Sequence, residues 1–99
     1  MNLDTTFVAL DNPSMQFPLI HMNGNSGTTL GNEYFEALRS FNEFNEKFFD
    51  IAFHRRDYYP LGDDAWNLAV KQRNEICQKM NDIRHYLDTH AGHCFASAR

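Results

Sequence analysis

Two helix-breaking residues divide this chain into long segments that both show helical periodicity. Pro60 lacks the backbone donor that a helix interior needs, and Gly62 frees the backbone, so residues 54–62 are predicted to form a loop. Asp63 and Asp64 follow directly and suit the N-cap and first turn of a helix. The sequence therefore predicts a mainly α fold, an antiparallel two-helix hairpin.

The first helix is predicted over residues 30–53. Apolar side chains recur there at spacings of three and four, which places them on one helix face. The members of this face are Tyr34, Leu38, Phe41, Phe44 (or Asn45), Phe48 and Ile51. A second apolar line beside it consists of Phe35, Phe49 and Phe53. Because two helices cannot bury both lines, we expect the second line to be covered by N-terminal residues or by another subunit.

The second helix is predicted over residues 63–89 with its end near Gly92, because glycine is common just beyond a helix. Its apolar face consists of Trp66, Ala69, Ile76, Met80, Ile83 and Leu87. Arg73 stands in this heptad-like seam where an apolar residue is expected. We interpret it either as a snorkelling side chain paired with Glu46 or Asp50, or as an anion ligand that projects into a pocket.

Residues 1–29 precede the predicted hairpin, which occupies residues 30–91. Two short apolar runs, residues 7–10 and 15–22, are separated by the turn signal Asp-Asn-Pro-Ser. They are interpreted as a small β element or as an extended arm that lies on a neighbouring subunit. Pro18 confines the second run to a sheet edge or to a path outside a sheet.

A turn rich in glycine and hydroxyl groups, residues 23–29, leads into the first helix. One role for it is capping, since Ser26, Thr28 or Thr29 can accept bonds from the first-turn amides. The other role is to hold an anion, because free amides and the dipole at a helix N-terminus favour negative charge. The turn contains no lysine and does not match the phosphate-binding P-loop pattern.

The size and composition of the chain limit the classes of function that it can have. The chain has 99 residues, enough for one small domain that buries a limited share of its surface, so we expect it to assemble as a homo-oligomeric bundle. A formal net charge of −4 argues against general binding of duplex nucleic acid, which requires a basic face. Two cysteines indicate reduced thiols, and no segment resembles a membrane span or a signal peptide. A cytoplasmic location without membrane partners is predicted.

Potential metal ligands cluster towards the end of the chain: Cys77, His85, His90, His93 and Cys94. Their spacing matches no common zinc motif, so residues 92–99 are interpreted as a frayed, solvated tail and not as a metal site. No local pattern places a nucleophile beside a base. We therefore expect a protein that is not an enzyme and that uses no cofactor.

The predicted loop carries Arg55, Arg56, Tyr58 and Tyr59. Guanidinium groups bind phosphate in bidentate fashion, and tyrosine rings offer stacking faces for a base, so this grouping suits a nucleotide. The alternative is that both tyrosines close the end of the hairpin while both arginines face solvent. The loop and the turn at 23–29 flank one helix and lie about 35 Å apart, so they share a site only across a subunit boundary.

Two short motifs, His-Met-Asn-Gly-Asn-Ser at 21–26 and Arg-Asp-Tyr-Tyr-Pro at 56–60, each precede a helical segment. This arrangement resembles a family of short phage and prophage proteins with the pattern H-x-N-G-T-S, a helix, N-G-R-D-Y-Y-P and a closing helix. The likeness covers most of residues 20–90. The chain differs at Asn25, where the family has threonine, and at residues 54–55, where His-Arg replaces Asn-Gly.

In size and architecture the chain is also similar to viral sponge proteins. Those proteins oligomerise and sequester nucleotide immune signals, either the cyclic oligonucleotides of CBASS or the ADP-ribose derivatives of Thoeris. The likeness implies a phage counter-defence protein that holds such a ligand between subunits, without turnover, in the host cytoplasm. Its expected ligand-binding residues are Arg55, Arg56, Tyr58, Tyr59, Arg73, Asn23, Gly24, Ser26 and Thr28. The alternative is a small phage inhibitor that docks on a host defence protein through its aromatic helix face.

Overall fold

The computed structural model describes residues 15–98, which form two antiparallel α-helices. Helix α1 comprises Gly27–Asp50, and helix α2 comprises Asp63–Ser97. The connection between them contains two single-turn 3₁₀ helices, Arg55–Asp57 and Tyr59–Leu61. Residues 15–98 contain no β-strand, so the predicted mainly α hairpin is confirmed. The hairpin is elongated, with principal extents of 61 × 27 × 18 Å.

Helix α1 begins where a side chain caps it. The hydroxyl of Ser26 accepts a hydrogen bond from the amide of Thr29 at 3.0 Å, so Ser26 is the N-cap and Thr28 and Thr29 are helical. At the other end, the Ile51 amide donates to the Phe48 carbonyl. Helix α1 begins three residues before the predicted start at residue 30, because Ser26 of the hydroxyl-rich turn supplies the N-cap. It also ends three residues before the predicted limit of 53.

Helix α2 begins after a glycine in a conformation that disfavours other residues. Gly62 is the N-cap, with a φ of 100°, and no side chain caps this end. Asp63 and Asp64 lie in the first turn, where their charge interacts favourably with the helix dipole. The prediction of acidic first-turn residues is confirmed, while Gly62 takes the N-cap that was expected to be an aspartate.

Helix α2 does not end near Gly92, so the prediction of a frayed tail after residue 91 is wrong up to Ser97. Gly92 lies inside the helix, and a Cβ there would meet nothing within 4 Å. The local preference of glycine for a helix end is overridden by tertiary packing, since His90, Ala91 and Cys94 are all buried.

Two glycines of α1 let the last turns of α2 approach closely. A Cβ on Gly27 would lie 2.5 Å from the carbonyl oxygen of Cys94, and one on Gly31 would lie 2.9 Å from the Phe95 ring. Both glycines are buried, and their spacing of four residues puts them on the same helix face. The missing side chains therefore create the space in which the C-terminal part of α2 packs.

The two helices bury few apolar side chains against each other. Among the described residues, the fully buried apolar ones are Met80, Ala91 and Cys94. Ile51 and Ile76, which were predicted to face the partner helix, are 58% and 45% exposed, so these two assignments are wrong. Phe44 is also exposed, and Asn45 is half-buried in its place. No helix among the described residues is long and apolar enough to cross a membrane.

Residues 15–22, here called the N-terminal segment, contain no helix or strand. The segment packs against its own α2: the Thr89 hydroxyl lies 3.3 Å from the Met15 sulfur, and His90 and His93 contact carbonyl oxygens of the segment. The β alternative is thus excluded for residues 15–22, while the apolar run 7–10 lies outside the described residues.

Replacement of Gly27 by alanine tests the close approach of the helices. We expect Gly27→Ala to lower the free energy of unfolding by about 1–3 kcal/mol, because the new methyl group would press on main-chain atoms that cannot rotate away. Gly92→Ala is the matched control, and it should raise stability by about 0.5–1 kcal/mol because its methyl group is unobstructed. Urea denaturation followed by circular dichroism measures both. Equal effects would contradict the packing described here.

The two cysteines should differ in reactivity. Cys94 is fully buried, and burial raises the pKa of its thiol, whereas Cys77 is half-buried. Because the thiolate is the reactive form, we expect iodoacetamide to modify Cys77 of the native protein well before Cys94. In urea both should react, and peptide mass mapping distinguishes them. Native labelling of Cys94 at the rate of Cys77 would show that this end of α2 opens.

Candidate functional site

The connection between the helices is anchored by a cluster of three aromatic rings. Tyr58 lies 5.8 Å from Phe53 and 5.5 Å from Trp66, and the Phe53 and Trp66 rings lie 4.9 Å apart, measured between centroids. All three side chains are half-buried. Tyr58 therefore closes the end of the hairpin, as one interpretation proposed for both tyrosines, whereas Tyr59 is 65% exposed and does not. Only part of the Tyr58 ring is available to a ligand.

Arg73 lies over aromatic rings of α1. Its guanidinium carbon is 4.7 Å from the centroid of Phe48 and 4.6 Å from that of Phe53. These are cation–π distances, so the rings take the role that was predicted for Glu46 or Asp50. No ion pair found among residues 15–98 involves Arg73. Arg73 can therefore occupy a seam position where an apolar residue was expected, because its flat guanidinium group stacks on the Phe48 and Phe53 rings.

Beside Arg73 is an open cleft at the end of α1. Its walls are formed by Phe49, Asp50, Ile51, Ala52, Phe53, His54 and Arg73. The wall residues are apolar or aromatic except for one carboxylate and two groups that can carry positive charge. The second interpretation of Arg73, a cation that projects into a pocket, is therefore compatible with its position.

The remaining predicted site residues of the connection differ in whether another side chain already binds them. Arg55 forms a hydrogen-bonded ion pair with Asp63 at 2.5 Å, and both side chains are mostly exposed. Exposed pairs of this kind contribute little to stability, and phosphate can displace the carboxylate. Arg56 and Tyr59 are exposed, and neither side chain has a hydrogen bond, ion pair or ring contact within the described part of the chain. They are the groups most available to a ligand.

The other predicted binding residues lie at the opposite end of the hairpin. Ser26 is occupied by its capping bonds, because its hydroxyl accepts from the Thr29 amide and donates to the Thr29 hydroxyl. Asn23, Gly24 and Thr28 are exposed. This end forms a shallow pocket with the end of α2, lined by Ile20, His21, Ser26, Gly27, Thr28, Ser97 and Ala98.

The two groups of predicted site residues do not meet within one chain. Helix α1 has 24 residues and separates them by about 36 Å at a rise of about 1.5 Å per residue. The structure brings Arg55, Arg56, Tyr59 and Arg73 to one end and the turn at 23–28 to the other. One ligand can touch both groups only if a second molecule of the protein is present.

Sequence reasoning did not anticipate a polar groove at the middle of the hairpin. Its lining residues are Leu38, Asn42, Asn81, Arg84, His85 and Asp88. The one sequence feature that could have indicated the groove is the presence of polar residues near the middle of both helices, which lie opposite each other in an antiparallel hairpin. Asn81 accepts a bond from Arg84 at 3.3 Å, so part of the polar lining is already engaged within α2.

His93 does not lie in a solvated tail, so this prediction was wrong, and His90 before it is buried. His90 is 1% exposed, and both of its ring nitrogens face carbonyl oxygens; His93 contacts the Pro18 carbonyl at 2.8 Å. Among the described residues, no group of three or more histidine, cysteine or acidic side chains is placed to hold a metal ion. Comparisons of the chain with protein-family models, with curated proteins and with solved structures found no match.

Replacement of Arg73 tests the stacking on Phe48 and Phe53. We expect Arg73→Lys to lower the free energy of unfolding by about 0.5–2 kcal/mol, because lysine keeps the charge and loses the flat guanidinium. Arg84→Lys is the control, since Arg84 is exposed on the same helix. Urea denaturation again supplies the measurement. If both variants lose the same stability, the stacking does not hold the helices together.

Proposed function

We propose that this protein binds a small phosphorylated nucleotide between copies of itself and holds it without turnover. The observation that carries the proposal is the pair formed by Arg56 and Tyr59, a cation and an aromatic ring that are both exposed and unpaired within residues 15–98. A chain has no structural need for such a pair in a turn. The pair supplies what a nucleotide requires, a bidentate phosphate ligand and a stacking surface.

Further groups at the same end of the hairpin support this ligand class. Arg55 is exposed beside Arg56 and is held only by a weak surface pair with Asp63. Arg73 stands at the edge of the cleft, where its aromatic support fixes its direction. Together they offer three guanidinium groups to the phosphates of a ligand, at an end of the hairpin where Asp50, Asp57, Asp63 and Asp64 also lie.

The proposal includes assembly, because one chain leaves much apolar surface uncovered. Within residues 15–98, eleven large apolar side chains are exposed: Leu19, Met22, Phe35, Phe44, Phe49, Ile51, Tyr59, Leu61, Leu68, Ile76 and Phe95. A second copy that packs on these side chains would remove them from water. In a head-to-tail arrangement it would also bring Asn23, Gly24 and Thr28 of one copy to the arginines of another. These exposed amides and hydroxyls suit phosphate or ribose.

The resemblance to phage proteins gives the proposed ligand a biological setting. A nucleotide immune messenger, either a cyclic oligonucleotide or an ADP-ribose derivative, carries both phosphate and flat bases. Its sequestration would silence a host defence without any chemical step. We therefore propose a counter-defence role in the cytoplasm of a phage-infected cell.

A second candidate function is supported by the phenylalanine residues of α1. Phe35 and Phe49 are each about half exposed, at 48% and 54%, and their positions in the sequence place them on the same side of α1. Exposed aromatic residues on a helix suit the groove of a partner protein. In this alternative the protein docks on a host defence protein and blocks it, and the connection between the helices binds no ligand.

Native mass spectrometry, followed by heat release and analysis of small molecules, tests the proposal. We expect a defined homo-oligomer that binds a nucleotide from a panel of cyclic oligonucleotides and ADP-ribose derivatives. Arg56→Ala should weaken that binding at least about tenfold, because a charged hydrogen bond to phosphate is lost, and Tyr59→Ala should weaken it by removal of the stacking face.

Arg39→Ala is the matched control for the arginine change. Arg39 is 65% exposed on α1 and is paired with Glu36 at 3.5 Å, away from the connection. Its removal should leave nucleotide binding unchanged. Unchanged binding in Arg56→Ala would exclude this site, and a ligand-free monomer that ignores the whole panel would favour the protein-docking alternative.

A further inference from the structure

His90 is almost fully buried at the place where the N-terminal segment crosses α2. Its side chain is 1% exposed. Nδ1 lies 2.9 Å from the carbonyl oxygen of Tyr86, and Nε2 lies 3.1 Å from the carbonyl oxygen of Gln16. Both distances are those of hydrogen bonds. The imidazole thus bridges its own helix and the segment that precedes α1.

The two carbonyl oxygens determine how many protons the ring needs. A carbonyl oxygen only accepts, and a neutral imidazole has one N–H and one lone pair. Both contacts of His90 are hydrogen bonds only when the ring carries two protons. In the neutral ring, one nitrogen would place its lone pair about 3 Å from an oxygen lone pair in a buried site, which is unfavourable.

The rings that surround His90 suit a cation. Tyr86 stacks on the imidazole at 3.9 Å between centroids, Phe17 lies at 4.8 Å and Tyr34 lies at 5.1 Å. The faces of aromatic rings attract positive charge. The ring faces offset part of the cost of burying a charged imidazole, and the two carbonyl oxygens accept its two protons.

The titratable groups near the ring come from the two helices and not from the N-terminal segment. Helix α1 contributes Tyr34, and α2 contributes Tyr86, Cys94 and, across the Phe17 ring, His93. Burial and the contact with Tyr86 raise the pKa of Tyr34, and burial raises the pKa of Cys94, so both are uncharged near neutral pH. Residues 15–20 include no charged side chain.

The other contacts of the N-terminal segment do not depend on a second proton. His93 requires one N–H to donate to the Pro18 carbonyl at 2.8 Å, which the neutral ring can supply. Phe17 stacks nearly parallel on His93, at 4.7 Å and 13°. The response of the segment to pH is therefore expected to arise at His90.

We propose that His90 is a proton-controlled latch for the N-terminal segment. When the ring carries two protons, it fastens Gln16 to α2; when one proton leaves, one of its two carbonyl contacts becomes repulsive and the segment loosens. The segment is therefore held most tightly at acidic pH, where the ring carries both protons, and less tightly after a rise in pH removes one of them. The latch lies beyond the proposed nucleotide function and operates without any ligand.

Solution NMR of the full chain, without ligand, tests the latch directly. Imidazole nitrogen spectra should show both nitrogens of His90 protonated at acidic pH and one of them losing its proton as pH rises. Over the same range the ring protons of Phe17 should shift, because the ring moves away from the two histidine rings that it contacts. A ring that keeps one proton throughout while Phe17 stays docked would overturn the proposal.

Two glutamine variants locate the effect. His90→Gln keeps a donor near the Nε2 position but cannot titrate, so the Phe17 signals should lose their pH dependence. His85→Gln makes the same change at an exposed position of α2 and should behave like the parent protein. A pH-dependent Phe17 shift that survives in His90→Gln would assign the latch to another group. If that variant fails to fold, the nitrogen spectra of the parent protein still decide.

Discussion

The close approach of α1 and α2 at Gly27 and Gly31 is the constraint on which the rest of the structure depends. A side chain at Gly27 would collide with the backbone of α2, so this contact exists only because two glycines lie one turn apart. The contact extends α2 past Gly92 to Ser97. That extension in turn places His90 and His93 under the N-terminal segment, which reaches the start of α1 through the turn at 23–26.

At the opposite end of the hairpin the helices are kept apart by large aromatic side chains. Arg73 fits between these side chains because its guanidinium group is flat. Polar and charged groups are left free at the tip while Phe44 and Phe49 remain uncovered along α1. A hairpin with one closely packed end and one aromatic, arginine-bearing end has a directional surface. Such a surface is suited to ordered assembly, and it links the proposed ligand site to the proposed oligomer.

Local signals in the sequence predicted the local part of this structure. Pro60 and Gly62 marked the break, and the spacing of apolar residues marked both helices. The end of α2 could not be predicted in this way, because Gly92 by itself favours a helix end and the packing that overrides it involves residues distant in the chain. The same limit applied to His90, since no sequence pattern marks a bond to a main-chain carbonyl.

The candidate site shows the same division. Adjacency in the chain was sufficient to group Arg55, Arg56, Tyr58 and Tyr59 at one end of the hairpin. Adjacency in the chain could not indicate which of these side chains already contact other residues of the protein. The two 3₁₀ turns direct Tyr58 inward and leave Tyr59 exposed, and the ion pair of Arg55 with Asp63 depends on the start of α2. These distinctions arise from backbone geometry that composition does not encode.

The N-terminal segment is recognised through its main chain, and this has an evolutionary consequence. His90 and His93 bind the carbonyl groups of Gln16 and Pro18, which every residue type possesses. Proline therefore costs nothing at position 18, because its missing N–H is not the group that binds. Met15 and Phe17 are the residues contacted through their side chains among those described here. Positions 16 and 18 can therefore change in evolution while the path of the chain across α2 stays the same.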